Sequence, residues 1–191
     1  MKKLNIDKDD FVIIYAGRLV PEKGVKELAK TVMSINNSKI KLMILGTSLF
    51  AEGENTDYTN EIARIAKASN GRIIGTGFVH NNIIANYFAI ARLCVVPSMC
   101  EEALALVPLE AMTSGVPVII TNSGGMVEYV KNGYPLVVNR GNMFCEQLVE
   151  YILKMYNNPV FCDELKSKGI DRSLDFSRIK FYNDFIKIFD K

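Results

Sequence analysis

The sequence lacks several residue types that carry chemistry in other proteins. Its 191 residues include no tryptophan, a single histidine and only four cysteines. None of these cysteines forms a C-x-x-C pair, so neither a zinc cluster nor a disulfide framework is indicated. We expect four reduced thiols, at Cys94, Cys100, Cys145 and Cys162.

An excess of one charge and long apolar runs are also missing. The net charge is +2, and acidic and basic residues are scattered along the chain, which gives no electrostatic case for nucleic-acid binding. The apolar runs have the length of strands, and Met1–Lys3 leads into a polar, acidic segment, so neither a membrane span nor a signal peptide is predicted. We therefore expect a cytoplasmic protein without nucleic-acid partners.

Apolar runs do alternate with stretches of helical periodicity. With 49% hydrophobic residues, the chain can bury one substantial core. Continuous runs such as Phe11–Ala16 and Ile40–Leu45 are typical of buried parallel strands, and the stretch after each run has helical spacing. The pattern predicts one α/β domain over residues 11–175. Residues 1–10 are predicted to be a linker or entry segment, Thr47–Thr56 a polar loop, and residues 176–191 a C-terminal helix.

The stretch Pro97–Met112 is the one around which the chain is organised. It follows a predicted strand and carries three glutamates, of which Glu102 and Glu110 lie just before and inside a helix predicted over Leu104–Thr113. On such a helix their spacing would place both carboxylates on the same side, at the end of a parallel strand where α/β sheets bind ligands. The alternative is that both glutamates only complement the helix dipole.

A second loop carries the complementary charge. Gly17–Gly24 lies between the first strand and the first helix, which is a usual place for an anion-binding loop, and contains Arg18 and Lys23. It is not a Walker loop, because it lacks the Gly-Lys-Ser/Thr sequence. A later stretch, Gly75–His80, nearly matches a dinucleotide fingerprint. His80 replaces the third glycine, however, so a dehydrogenase is not supported.

Four motifs in a fixed order carry a family resemblance. The first is Gly17-Arg18-Leu19 with Pro21–Gly24, and the second is Thr76–Val79. The third is Pro97-Ser98 with Glu102, Glu110–Met112 and Ser114–Ile119, and the fourth is Gly124-Gly125 with Glu128, Val130 and Asn132-Gly133. Together they cover nearly the whole chain and resemble the donor-binding domain of retaining, GT-B-fold glycosyltransferases, including the Glu-x7-Glu signature. The resemblance implies a Rossmann-like three-layer αβα domain with a central parallel sheet of about six strands, one half of a GT-B fold.

The resemblance also implies roles for single residues. Arg18 and Lys23 would hold the donor diphosphate and stabilise the charge on the leaving nucleotide, with Glu102 near the sugar hydroxyls. Glu110 would accept the ribose hydroxyls. The base would be held mainly by backbone groups, and the phosphates would meet N–H groups at the helix start. The catalytic set is then Arg18, Lys23 and Glu102, and the donor-binding set is Gly17, Phe78, Val79, Ala105, Leu106, Val107 and Glu110.

Partners follow from the same resemblance. The substrate would be a nucleotide-sugar donor, with UDP the first expectation and GDP the next, and no metal or other cofactor is expected. The acceptor, a glycan or lipid, would bind to an N-terminal domain that this chain lacks and to which the helix of residues 176–191 would cross. That domain could also provide peripheral attachment to the inner face of a membrane, and the isolated chain would be inactive.

Three functions stay open at this point. The chain could belong to a sugar transferase, to a nucleotide-sugar binding module without catalysis, or to a nucleotide-sugar epimerase of related fold. The epimerase is disfavoured because the single histidine has no evident acid–base partner. Ala103-Leu104-Ala105 stands where the family often has Gly-Phe-Gly, which narrows the room beside the sugar and leaves the donor's identity open.

Overall fold

The computed structural model describes residues 4–46 and 56–189, so the predicted loop Thr47–Thr56 lies outside the described residues except for Thr56. Six strands form one sheet in the order β3-β2-β1-β4-β5-β6, and every neighbouring pair is parallel. The strands are β1 Phe11–Ala16, β2 Ile40–Leu45, β3 Ile73–Gly77, β4 Leu93–Val96, β5 Val118–Thr121 and β6 Leu136–Val138. The predicted Rossmann-like α/β fold is therefore confirmed.

Helices cover both faces of this sheet. Strands β1 to β3 are added in one direction and β4 to β6 in the other, and right-handed crossovers then place the connecting helices on opposite faces. The first helix contacts the second and fifth, whereas the fourth contacts the sixth. The helices are α1 Val25–Ser34, α2 Asp57–Ala68, α3 Ile84–Phe88, α4 Val107–Thr113, α5 Phe144–Asn157, α6 Pro159–Leu174 and α7 Arg178–Phe189.

The core is centred on β1 and β2, in which every residue is buried. Burial of both faces explains why these strands are continuous apolar runs rather than alternating ones. Lys41 is the charged residue within β2. Its ammonium lies 2.7 Å from the carboxylate of Asp10, whose side chain is 1% exposed. Because Ile6 is also buried, the described part of the entry segment packs onto the domain.

The helix after β4 begins later than predicted. It starts at Val107 instead of Leu104, because the preceding residues run irregularly and the Ala105 carbonyl accepts a hydrogen bond from the Tyr129 hydroxyl at 2.7 Å. Pro108 lies at its second position, where the missing N–H costs nothing. Glu102, predicted to lie just before the helix, lies further from its start, so helical spacing does not determine the direction of its side chain.

The C-terminal helix α7 is helical as predicted but buries none of its side chains in this chain. The preceding Phe176 ring lies 4.8 Å from the Tyr129 ring and ties the start of the segment to the domain. Beyond it, three phenylalanines stack along one side of α7, with ring centroids separated by 6.1 and 5.0 Å. Side chains such as Ile179 and Phe181 are more than 70% exposed. Whether this helix crosses to another domain stays a prediction.

Candidate functional site

Two loops meet where the strand order reverses, at the carboxyl ends of β1 and β4. The Met99 amide donates a hydrogen bond to the Glu22 carbonyl at 2.8 Å and joins the two backbones. Beside this bond, Gly24 has a φ of 66°, and a β-carbon there would lie 2.0 Å from the Pro97 carbonyl oxygen. The loop Gly17–Gly24 can therefore approach the loop after β4 only because residue 24 is a glycine.

Gly24→Ala should test this contact through stability. The left-handed conformation costs an alanine about 1–2 kcal/mol, and separating the loops removes the backbone hydrogen bond, worth about 1 kcal/mol. We expect the free energy of unfolding in urea to fall by about 2–4 kcal/mol. Gly133→Ala is the matched control, since Gly133 has a φ of 73° and no atom within 4 Å of its added β-carbon. Equal losses in the two variants would contradict a tight contact at Gly24.

An ion pair lies across the two loops. The Lys23 ammonium lies 2.5 Å from Oε1 of Glu102, with the side chains 24% and 12% exposed. The Ser98 hydroxyl donates to the same carboxylate oxygen at 2.7 Å. Burial acts to raise the pKa of Glu102, but the hydrogen bonds from Lys23 and Ser98 and the charges of Lys23 and Arg18 outweigh it, so the pKa lies below its usual value. Glu102 is therefore ionised at neutral pH.

Two consecutive glycines support the loop that carries Glu102. The Gly125 amide donates to the Glu102 carbonyl at 2.7 Å. A β-carbon on Gly125 would lie 1.6 Å from the Ala103 carbonyl oxygen, and one on Gly124 would lie 2.1 Å from the Glu102 carbonyl oxygen. Because neither glycine has a β-carbon, the backbone of Gly124-Gly125 can contact the backbone of Glu102 and Ala103, and this contact holds the loop that carries Glu102 in position.

A cavity of about 300 Å³ opens beside these loops, at the carboxyl ends of β1 to β3. Seven of the predicted site residues line it: Gly17, Arg18, Phe78, Val79, Leu106, Val107 and Glu110. Sequence reasoning missed five further lining residues, Ala16, Leu45, Gly46, Asn81 and Ile84. Most of these are small or apolar and have no chemical signature. Ala16, Leu45 and Gly46 could have been indicated by their positions at strand ends, whereas Asn81 and Ile84 lie in the segment after β3.

Three predicted site residues do not line the cavity. Lys23 and Glu102 are engaged with each other, and the Ala105 carbonyl is bonded to Tyr129. The structure thus divides the predicted set into seven cavity residues, the adjacent ion pair and Ala105.

The cavity presents groups of opposite charge. Arg18 is exposed, and its guanidinium forms no hydrogen bond or ion pair with any residue in the described ranges. Its carbonyl accepts a hydrogen bond from the Tyr15 hydroxyl at 2.6 Å, which fixes the backbone at that point. Within the same described ranges the Glu110 carboxylate likewise has no hydrogen-bond partner. A guanidinium suits a phosphate, a carboxylate accepts bonds from hydroxyls, and the 60% exposed ring of Phe78 offers an aromatic face.

The family is decided by a match over residues 1–172 to the model of glycosyl transferases group 1. The chain belongs to this family. The resemblance found in the four sequence motifs is thereby confirmed. Residues of the first three motifs lie in the two loops and the cavity, and Gly124-Gly125 of the fourth supports the loop that carries Glu102.

Individual relatives agree with the family. The chain is 34% identical over 135 residues to the lipopolysaccharide 1,2-N-acetylglucosaminetransferase of Salmonella typhimurium, covering 69% of the chain and 35% of that protein. It is 28% identical over 167 residues to the capsular polysaccharide biosynthesis glycosyltransferase CapM of Staphylococcus aureus, covering 86% and 41%. Its fold matches that of Anabaena HepE, crystallised with UDP and glucose, with a TM-score of 0.81 at 22% identity over 95% of the chain and 48% of HepE.

This glycosyltransferase chain spans about a third to two-fifths of the length of the curated relatives it matches. Within residues 4–46 and 56–189, no three side chains of the metal-binding types cluster together. No helix in these ranges is long and apolar enough to cross a membrane.

Proposed function

We propose that this chain binds the donor of a sugar transfer, a nucleotide-diphosphate sugar that is most simply UDP-linked, and forms the donor half of a GT-B enzyme. The observation that carries the proposal is the cavity that joins Arg18, Phe78 and Glu110 in a chain of the glycosyltransferase family. A bound UDP and glucose on the similar fold of HepE supports the choice of nucleotide.

The chemistry of the lining residues matches the parts of such a donor. The base would lie against Phe78 and Val79, the ribose hydroxyls would donate to Glu110, and the diphosphate would extend toward Arg18. Leu106 and Val107 close the side of the cavity formed by the start of α4. The sugar would then lie near Glu102, beyond the cavity and next to Ala103-Leu104-Ala105.

Transfer needs charge stabilisation on the donor side. As the bond between the anomeric carbon and the diphosphate oxygen breaks, negative charge grows on the leaving nucleotide. The acceptor oxygen forms the new glycosidic bond, and its proton passes to the leaving diphosphate. In the proposal, Arg18 from the cavity and Lys23 from the adjacent ion pair stabilise that charge, and no metal takes part in this step. Retention at the anomeric carbon is part of the proposal.

The acceptor side lies outside this chain in the proposal. A second domain would bind a glycan or lipid acceptor and close over the cavity, and the exposed apolar side chains of α7 would pack against it. Polysaccharide or lipopolysaccharide assembly is the setting in which the relatives named above work. The complete enzyme would be cytoplasmic, with any membrane contact made by the acceptor domain.

Titration calorimetry on the chain tests the donor site. We expect UDP to bind with a dissociation constant of about 0.1–1 mM, because most donor contacts lie in this chain while closure by an acceptor domain is missing. EDTA should leave the affinity unchanged. Absence of heat and of any thermal shift with UDP and GDP at millimolar concentration would contradict the site, whereas binding of a UDP-sugar without transfer by the complete protein would favour a non-catalytic binding module.

A further inference from the structure

We propose that Glu102 and the donor diphosphate compete for Lys23, so that Glu102 weakens the binding of the nucleoside diphosphate that is left after transfer. This inference rests on the proposed function and adds a second role to Glu102. The ion pair between Lys23 and Glu102 then acts in product release as well as in donor binding.

The position of Lys23 is the first step. Arg18 lines the cavity and has no side-chain partner among the described residues, whereas Lys23 does not line it and its ammonium lies 2.5 Å from Glu102. A diphosphate that extends from the cavity must share the Lys23 ammonium with this carboxylate or draw it away. In the ligand-free chain, the Lys23 ammonium that would bind the phosphate is paired with Glu102 instead.

The surrounding contacts allow such an exchange with little rearrangement. The backbone beside Lys23 is fixed by the Met99–Glu22 hydrogen bond and by the contact of Gly24 with Pro97. Only the flexible side chain of Lys23 has to turn. The Glu102 carboxylate keeps its hydrogen bond from Ser98, whose own carbonyl accepts a bond from the Thr121 hydroxyl at 2.8 Å.

Charge gives the direction of the effect. Arg18, Lys23 and Glu102 together carry a formal charge of about +1, and the same site without the carboxylate charge would carry about +2 toward a phosphate anion. Both side chains of the ion pair are largely buried, so their interaction is screened less than that of a surface pair. Removing the charge of Glu102 should therefore free Lys23 for the diphosphate.

Glu102→Gln is the direct test, with affinities measured by titration calorimetry for UDP and for uridine. We expect UDP to bind about threefold to tenfold more tightly to the variant than to the wild type, while uridine, which has no phosphate, binds equally to both. Glu101→Gln is the matched control, because this neighbouring carboxylate is 67% exposed and paired with Arg140 instead. It should leave both affinities unchanged.

A double variant separates competition from simple repulsion. If Glu102 acts by holding Lys23, the gain in UDP affinity from Glu102→Gln should disappear when Lys23→Ala is already present. A gain that persists without Lys23, or UDP affinity that is unchanged or weaker in Glu102→Gln, overturns the inference. Absence of UDP binding to the wild type is a different result, since it overturns the proposed function itself.

Discussion

Arg18→Ala lowers the affinity of the chain for UDP by about tenfold or more, which is the largest loss we expect from a single substitution. The guanidinium lines the cavity, and within residues 4–46 and 56–189 no ion pair competes for it in the ligand-free chain. A charge-assisted hydrogen bond to phosphate is worth about 1.5–3 kcal/mol, or a factor of roughly ten to a hundred in affinity. Titration calorimetry with UDP measures the loss.

Two controls accompany this measurement. Arg178→Ala removes an exposed arginine on α7, far along the chain from the cavity, and should not change UDP affinity. Uridine should bind equally to the wild type and to Arg18→Ala, because it carries no phosphate. Equal losses of uridine and UDP affinity would show that Arg18 supports the shape of the cavity rather than the diphosphate.

Glu110→Gln should weaken the binding of uridine and of UDP alike, each by about tenfold. Glu110 lines the cavity from the first turn of α4, and we assign its carboxylate to the ribose hydroxyls. Glutamine keeps the shape but replaces an ionised acceptor with a neutral one. Calorimetry with both ligands measures the change, and the effect contrasts with the selective loss of UDP expected for Arg18→Ala.

A ligand without hydroxyls makes this test specific. The 2′,3′-dideoxy analogue of UDP should bind the wild type and Glu110→Gln with the same affinity, since the interaction removed by the substitution is already missing. If Glu110→Gln also lowers the affinity for this analogue, Glu110 contacts a part of the ligand other than the ribose hydroxyls. If UDP affinity is unchanged in Glu110→Gln, the carboxylate only complements the helix dipole.

Strand positions could be read from the sequence because burial on both faces leaves a simple signal. Phe11–Ala16 and Ile40–Leu45 are continuous apolar runs, and the strands have those bounds. The start of α4 could not be read, because Leu104 and Ala105 are good helix formers that tertiary contacts keep irregular: Tyr129 binds the carbonyl of Ala105. Helix propensity depends on the local sequence alone, so it does not predict a hydrogen bond from a hydroxyl in another part of the chain.

The candidate site was predictable to a similar degree. Charged residues in recognisable motifs, such as Arg18 and Glu110, were found from the sequence and do line the cavity. The partner of Lys23 was not, since no spacing rule connects it with Glu102. Pairing between loops depends on how two parallel strands lie side by side, which becomes visible only once the sheet is built.

The contact between the loops after β1 and β4 has a consequence for how the chain folds. Lys23 and Glu102 are 79 positions apart, and β1 pairs with β4 across a similar separation. Contacts between residues so far apart in sequence close a long loop of chain, and such non-local contacts form slowly. We therefore expect nucleotide binding to recover only after β1 has paired with β4, because the start of α4, which follows β4, lines the cavity.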